Sequence, residues 1–149
     1  MMRYLKAIIV LLYLPVAALA GMSKNQAGRP SEQMAEEHFG KALQAYEQHN
    51  LDEAFTSYIA AVNCSKLILG KNERGMIQAC IDHFRKELLK NPLDARTRYC
   101  LARALEFKGE MEAAVKEYRK IIDHFRDSSF ASLSWEQINR QRFISTLNE

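Results

Sequence analysis

The 149-residue sequence predicts an all-α fold, and three observations carry that prediction. It holds only 6 Gly and 3 Pro, too little turn chemistry for a sandwich of many short strands. Strong helix formers (Ala, Leu, Glu, Lys and Gln) abound instead. Apolar residues recur at spacings of three and four along most of the chain. A hydrophobic share of 48% with 26% charged residues fits one globular domain and excludes disorder and collagen-like repetition. The net charge of +3 includes Arg3 and Lys6, and removing these two cations leaves +1. Nothing in that balance points to nucleic acid.

The first element is a leader. Arg3 and Lys6 precede an unbroken apolar run from Ala7 to Leu14, Pro15 interrupts it, and Ala18-Leu19-Ala20 places small residues at both specificity positions of a cleavage site. This is the layout of a secretory signal peptide over residues 1–20, with cleavage expected between Ala20 and Gly21. A retained anchor would need about 20 apolar residues, and the stretch from Ala7 to Ala20 has fourteen, so the membrane is touched only if the segment stays uncleaved. Export follows: to the periplasm in a Gram-negative bacterium, to the outside otherwise. Residues 21–30 are polar and read as a flexible lead-in to a helical domain over 31–149.

Six helices are expected there. Ser31 and Glu32 open the first, which runs to about Gln48 with Phe39, Ala42, Leu43 and Tyr46 on one stripe. Asn50 and Glu53 stand at capping-box spacing before the second, which carries Ala54, Phe55, Tyr58, Ala61 and Val62 and extends toward Leu69, completing a first pair over 31–69. The third occupies 72–90 with Ile77, Ile81, Phe84 and Leu88, and Asn91-Pro92 stops it. Asp94 begins the fourth and Gly109 ends it; the fifth follows from Glu110 to about Phe125. Ser134 and Gln137 form a capping-box pattern for a last helix over 134–147, with Trp135, Ile138, Ile144 and Leu147.

The chain also repeats itself. Lys108-Gly109-Glu110, Ala114 and Tyr118 stand sixty residues after Gln48-His49-Asn50, Ala54 and Tyr58. Gly75, Cys80 and Phe84 precede Gly109, Ala114 and Tyr118 by 34 residues each, and Pro92 follows Phe84 at the spacing the pattern wants. These residues resemble the tetratricopeptide repeat, two helices with small residues where they cross, an aromatic four later and a closing Pro. The segment 94–126 matches best, with Leu101, Ala102, Leu105, Gly109, Ala114 and Tyr118 in place. The unit at 72–90 is degenerate, because Ala54 to Cys80 spans 26 residues and no first helix fits between them. The large aromatic expected early in the first helix is replaced by His38 and by Arg98. The resemblance implies antiparallel helix pairs stacked as a short right-handed solenoid, closed by a polar-faced C-terminal capping helix.

No catalytic constellation accompanies this architecture. The sequence lacks a Gly-rich phosphate loop, a Gly-x-Ser-x-Gly elbow, a His-Glu-x-x-His and a Cys-x-x-Cys, so neither an enzyme nor a cofactor is expected. Cys80 and His83 stand one helical turn apart and form half of a metal site, which supports the alternative of a thiol or metal protein. Cys64, Cys80 and Cys100 are an odd set, so at most one disulfide forms among them. In arrays of the resembled family the first helix of each pair lines a concave groove. That implies a partner-binding surface of Glu36, Phe39, Leu43 and Tyr46 followed by Arg96, Tyr99, Arg103 and Phe107. Two guanidinium groups interleaved with two rings suit carboxylates beside an apolar segment. The function expected is a non-catalytic interaction module of the bacterial cell envelope, holding a protein or peptide partner in that groove.

Overall fold

A computed structural model describes residues 30–71 and 75–147, with side chains as far as Gln141. The expected leader, its cleavage site at Ala20 and Gly21, the lead-in before Pro30, and the side chains of Ile144 and Leu147 lie outside the described residues. Those residues form six α-helices and one 3-10 helix, with no strand among them. The helices are α1 (Pro30–Glu47), α2 (Leu51–Cys64), α3 (Met76–Lys90), α4 (Ala95–Lys108), α5 (Met111–His124) and α6 (Ser129–Leu147). The 3-10 helix Lys66–Gly70 follows α2.

The sixty-residue repeat reappears in the backbone. At the α1–α2 joint the His49 N–H donates to the Tyr46 carbonyl at 3.0 Å and the Asn50 N–H to the Ala45 carbonyl at 2.9 Å. At the α4–α5 joint the Gly109 N–H donates to the Glu106 carbonyl at 3.0 Å and the Glu110 N–H to the Leu105 carbonyl at 2.9 Å. Both are the same left-handed helix stop, with φ at 58° in His49 and 88° in Gly109. Beyond each joint the crossing residues Ala42, Ala54, Ala102 and Ala114 are fully buried, which lets the backbones of α1 and α2, and of α4 and α5, approach closely.

Four elements depart from expectation. First, α2 stops at Cys64 instead of running on toward Leu69. Ser65 is extended, its N–H closes α2 on the Ala61 carbonyl, and its Oγ accepts from the Leu67 N–H to open the 3-10 helix. Second, α1 begins at Pro30, a residue suited to the first helical turn because it has no N–H to satisfy there, so Ser31 lies inside the helix. Third, α6 begins five residues before the expected Ser134. Ser128 is the capping residue, its Oγ accepting from the Ala131 N–H at 3.3 Å, and Ser134 is buried mid-helix. Fourth, α3 begins at Met76 after Gly75, later than the expected 72. The remaining boundaries agree with the sequence to within two residues, including the Asp94 cap, whose Oδ1 accepts from the Thr97 N–H at 3.1 Å.

Packing follows chain order: α1 on α2, α3 on α4, α4 on α5 and α5 on α6, with a smaller seam between α2 and α3. The centre of the molecule is α4. Toward the first pair, Phe107 lies 5.4 Å from Tyr58 and 6.1 Å from Phe55, which meets Phe84 of α3 at 5.2 Å. Toward the last helix, Tyr99 lies 5.9 Å from Tyr118 and 5.6 Å from Phe130. Aromatic side chains thus connect every helix to α4 or to its neighbour. Among the described residues of the last helix, Ser129, Ser132, Glu136, Asn139 and Arg140 are exposed, and Leu133 and Trp135 are exposed among them.

Candidate functional site

On α1, the expected groove is a packed face. Phe39 is buried with its ring 6.3 Å from Tyr58, and Leu43 and Tyr46 pack half-buried against the core. The end of the 3-10 helix closes over this region: Lys71 bonds Glu36 at 2.5 Å and stands 5.9 Å above the Phe39 ring. Phe39, Leu43 and Tyr46 thus support the stack, whereas Glu36 is exposed.

On α4, the expected set divides. Arg96 is exposed, while Tyr99 is half-buried between Tyr118 and Phe130. Arg103 contradicts its expected solvent-facing role, since it is only 5% exposed. The reason is α6, which lies across this face of α4. The Arg103 guanidinium donates to Glu106 at 2.8 Å and to Gln137 of α6 at 3.0 Å, and stacks 4.5 Å from the Phe107 ring. Glu106 also accepts from the Tyr118 hydroxyl at 2.8 Å and from Gln141 of α6 at 3.0 Å. Burial by itself would lower the Arg103 pKa, but the Glu106 carboxylate beside it holds the guanidinium above its ordinary value. Burial, with that same carboxylate, raises the Tyr118 phenol. The spacing of 96, 99 and 103 does place one face of α4 together, and the molecule spends most of that face on holding its own last helix.

What remains open is a cleft of about 500 Å³ where the end of α4 approaches the first helix pair. Val62 and Leu69 form one wall, and Phe107 and Met111 form the other. Lys66, Lys108 and Arg140 bring cations to it, Lys108 paired with Glu110 at 2.5 Å and Arg140 with Glu136 at 3.2 Å. Among the described residues Lys66 makes no ion pair. Of the eight residues expected to line a groove, Arg103 and Phe107 border this cleft. The sequence reading missed Lys66, Leu69 and Met111. The signal that would have found the first two is Ser65, whose side chain accepts from the Leu67 N–H and opens a 3-10 helix in place of a continued α2.

The thiol and imidazole on α3 are separated by their partners. Cys80 is fully buried and its Sγ lies 3.7 Å from the Leu51 carbonyl. Burial, followed by the nearby Asp52 carboxylate, pushes its pKa up to about 12. His83 instead bonds Asp52 at 3.0 Å. No group of three or more His, Cys, Asp or Glu among the described residues is placed to hold a metal ion. All three cysteines are free thiols. No described helix is long and apolar enough to cross a membrane. Comparison with protein-family models, with curated proteins and with solved structures finds no match for this chain.

Proposed function

We propose that this chain is an exported, non-catalytic interaction module of the bacterial cell envelope, related in architecture to tetratricopeptide-repeat solenoids. In this reading the cleft at the end of α4 holds an apolar segment of a partner protein. The observation that carries it is the cleft itself: about 500 Å³, walled by Val62, Leu69, Phe107 and Met111, and bordered by cations. An apolar concavity with a few charged groups at its edge is the usual form of a binding site. Two identically hydrogen-bonded helix joints sixty residues apart, each followed by a buried Ala at the crossing, support the repeat architecture.

The test places a photo-crosslinking amino acid at Leu69, which is exposed at the cleft mouth. In intact cells it should yield a defined adduct, and Met111→Trp, which fills the cleft, should remove that adduct while helicity and melting are retained. An adduct undiminished by the filled cleft refutes the site. Export is checked separately by sequencing the mature N-terminus, which should read Gly-Met-Ser; a chain still beginning at Met1 would refute cleavage.

A further inference from the structure

We propose that the exposed face shared by α3 and α5, with the α3–α4 turn at its tip, docks the molecule onto an anionic lipid bilayer. The first observation is how charge is divided. Between Pro30 and Cys64 the chain carries six acids and one Lys, a net charge of −5, and from Ser65 onward it carries +4. On α3, Arg85 and Lys86 stand one turn before Leu89 on one exposed stripe, and Lys116, Arg119 and Lys120 form an exposed stripe of α5. Arg85 and the three α5 cations line one open depression of about 330 Å³ together with Leu101, Leu105 and Ala113, so the two stripes make one surface. The acids facing it are Asp123, Asp82 at 3.9 Å from Arg85, and Glu117, which Arg98 and Lys120 already hold at 2.8 and 2.6 Å. Among the described residues Lys86, Lys116 and Arg119 make no ion pair.

The second observation is the tip. Leu89 and Leu93 are 84% and 77% exposed, the two most exposed large apolar side chains among the described residues. The turn that presents Leu93 is braced from both sides. The Asp94 N–H donates to the Asn91 carbonyl at 3.3 Å, and the Arg98 guanidinium donates to the Pro92 carbonyl at 2.7 Å and to Glu117 of α5 at 2.8 Å. Protruding aliphatic side chains bury themselves in a bilayer without a matching pocket, while cations beside them meet the anionic headgroups. Leu and Lys, which prevail on this face, are under-represented among the residues that carry protein–protein interfaces. A negative surface also repels the acidic α1–α2 pair, which turns the α3–α5 face toward it. The contact belongs to the folded domain and not to the leader. It shares no lining residue with the cleft at the end of α4, so either reading can fail without the other.

Trp135 is the only Trp in the chain, so Trp135→Phe combined with Leu93→Trp moves the sole indole to the tip. The probes are vesicles of phosphatidylcholine alone and of phosphatidylcholine mixed with phosphatidylglycerol, titrated into the purified full chain. A saturable blue shift is expected with the mixed vesicles, with binding roughly tenfold or more weaker to phosphatidylcholine alone. Because the indole sits at the tip, the shift reports insertion there and not attachment by any other segment. Lys116→Glu with Arg119→Glu should remove the preference for the mixed vesicles, and added salt should weaken binding to them. In a dye-labelled chain, Leu89→Ser with Leu93→Ser should weaken binding to the mixed vesicles roughly tenfold or more, whereas Met34→Ser, at an exposed apolar residue of α1, should leave it unchanged. All these side chains are exposed, so helicity and melting should be kept. The proposal is overturned by an unshifted tip indole, by equal shifts with both vesicles, or by a charge-reversed face that keeps the preference. An indole that vesicles leave unshifted and that an adduct with a cellular protein shields also overturns it, in favour of a protein partner.

Discussion

Breaking the buried pair between Arg103 and Glu106 should destabilise the molecule strongly, whereas removing both charges together should cost little more than removing either. The side chains of Arg103 and Glu106 are 6% and 12% exposed and meet at 2.8 Å. Glu106→Gln preserves shape and an acceptor for the Tyr118 hydroxyl, so its main effect is to leave the guanidinium without its counter-charge. Removing one partner of a buried pair costs about 3–5 kcal/mol. The retained acceptor and the remaining bond to Gln137 place this variant near the lower end, about 3 kcal/mol. Arg103→Met leaves the carboxylate with the Tyr118 and Gln141 donors, and a similar loss is expected. In the double variant neither charge is stranded, so the two losses should fall short of adding by about 2 kcal/mol or more. Urea unfolding of all four proteins, followed by circular dichroism and by Trp135 fluorescence, measures the cycle. Single losses below about 1 kcal/mol, or a double loss within about 0.5 kcal/mol of the sum, would refute the network as the fastening of α6.

Three further outcomes are expected. Ala114→Leu should overpack the α4–α5 crossing, where Ala114 is fully buried, and cost about 1–3 kcal/mol; an unchanged urea midpoint would show that the crossing is elsewhere. Cys80 and Cys100, pushed by burial to about 12 and about 11, should resist alkylation at pH 8 in the native protein and react fully in urea, and fast native labelling of Cys80 would contradict its burial. Asp94→Ala should cost about 1 kcal/mol at neutral pH. Burial raises the Asp94 pKa, but hydrogen bonds from Thr97 outweigh it and hold the carboxyl below its ordinary value. The charged cap therefore contributes fully above the unfolded pKa of about 3.9, and the difference between native and variant should shrink as pH falls through the lower folded value. A difference independent of pH would remove the charge from the argument.

Much of the fold was legible because each helix end is written locally. Asp94, Asn91-Pro92 and Gly109 punctuate the chain by mechanisms that act within one turn, and Ala54 and Ala114 mark crossings by size alone. What was not legible depends on contacts between distant segments. The pattern Ser134-x-x-Gln137 fits a capping box, yet both residues are consumed inside α6: Ser134 is buried and Gln137 accepts from Arg103. The same absence of long-range information misplaced Arg103. Its register on α4 was readable, but only the position of α6 decides whether that face meets water. The exposure of Trp135 and Leu133 among the polar residues of α6 was likewise not readable from local pattern.

The two matched helix joints have an unequal consequence for how the molecule comes apart. A residue with a side chain is less favourable than Gly in the left-handed region by about 1 kcal/mol, so His49 carries a strain that Gly109, at the same place in the second joint, does not. Both joints close extensively packed helix pairs, α1 on α2 and α4 on α5, so the difference between them lies in the turn residue itself. Local opening of the turn is therefore easier at the α1–α2 joint than at the α4–α5 joint. In native-state hydrogen exchange, the His49 and Asn50 amides, which close the first joint, should exchange at free energies below those of Gly109 and Glu110, which close the second.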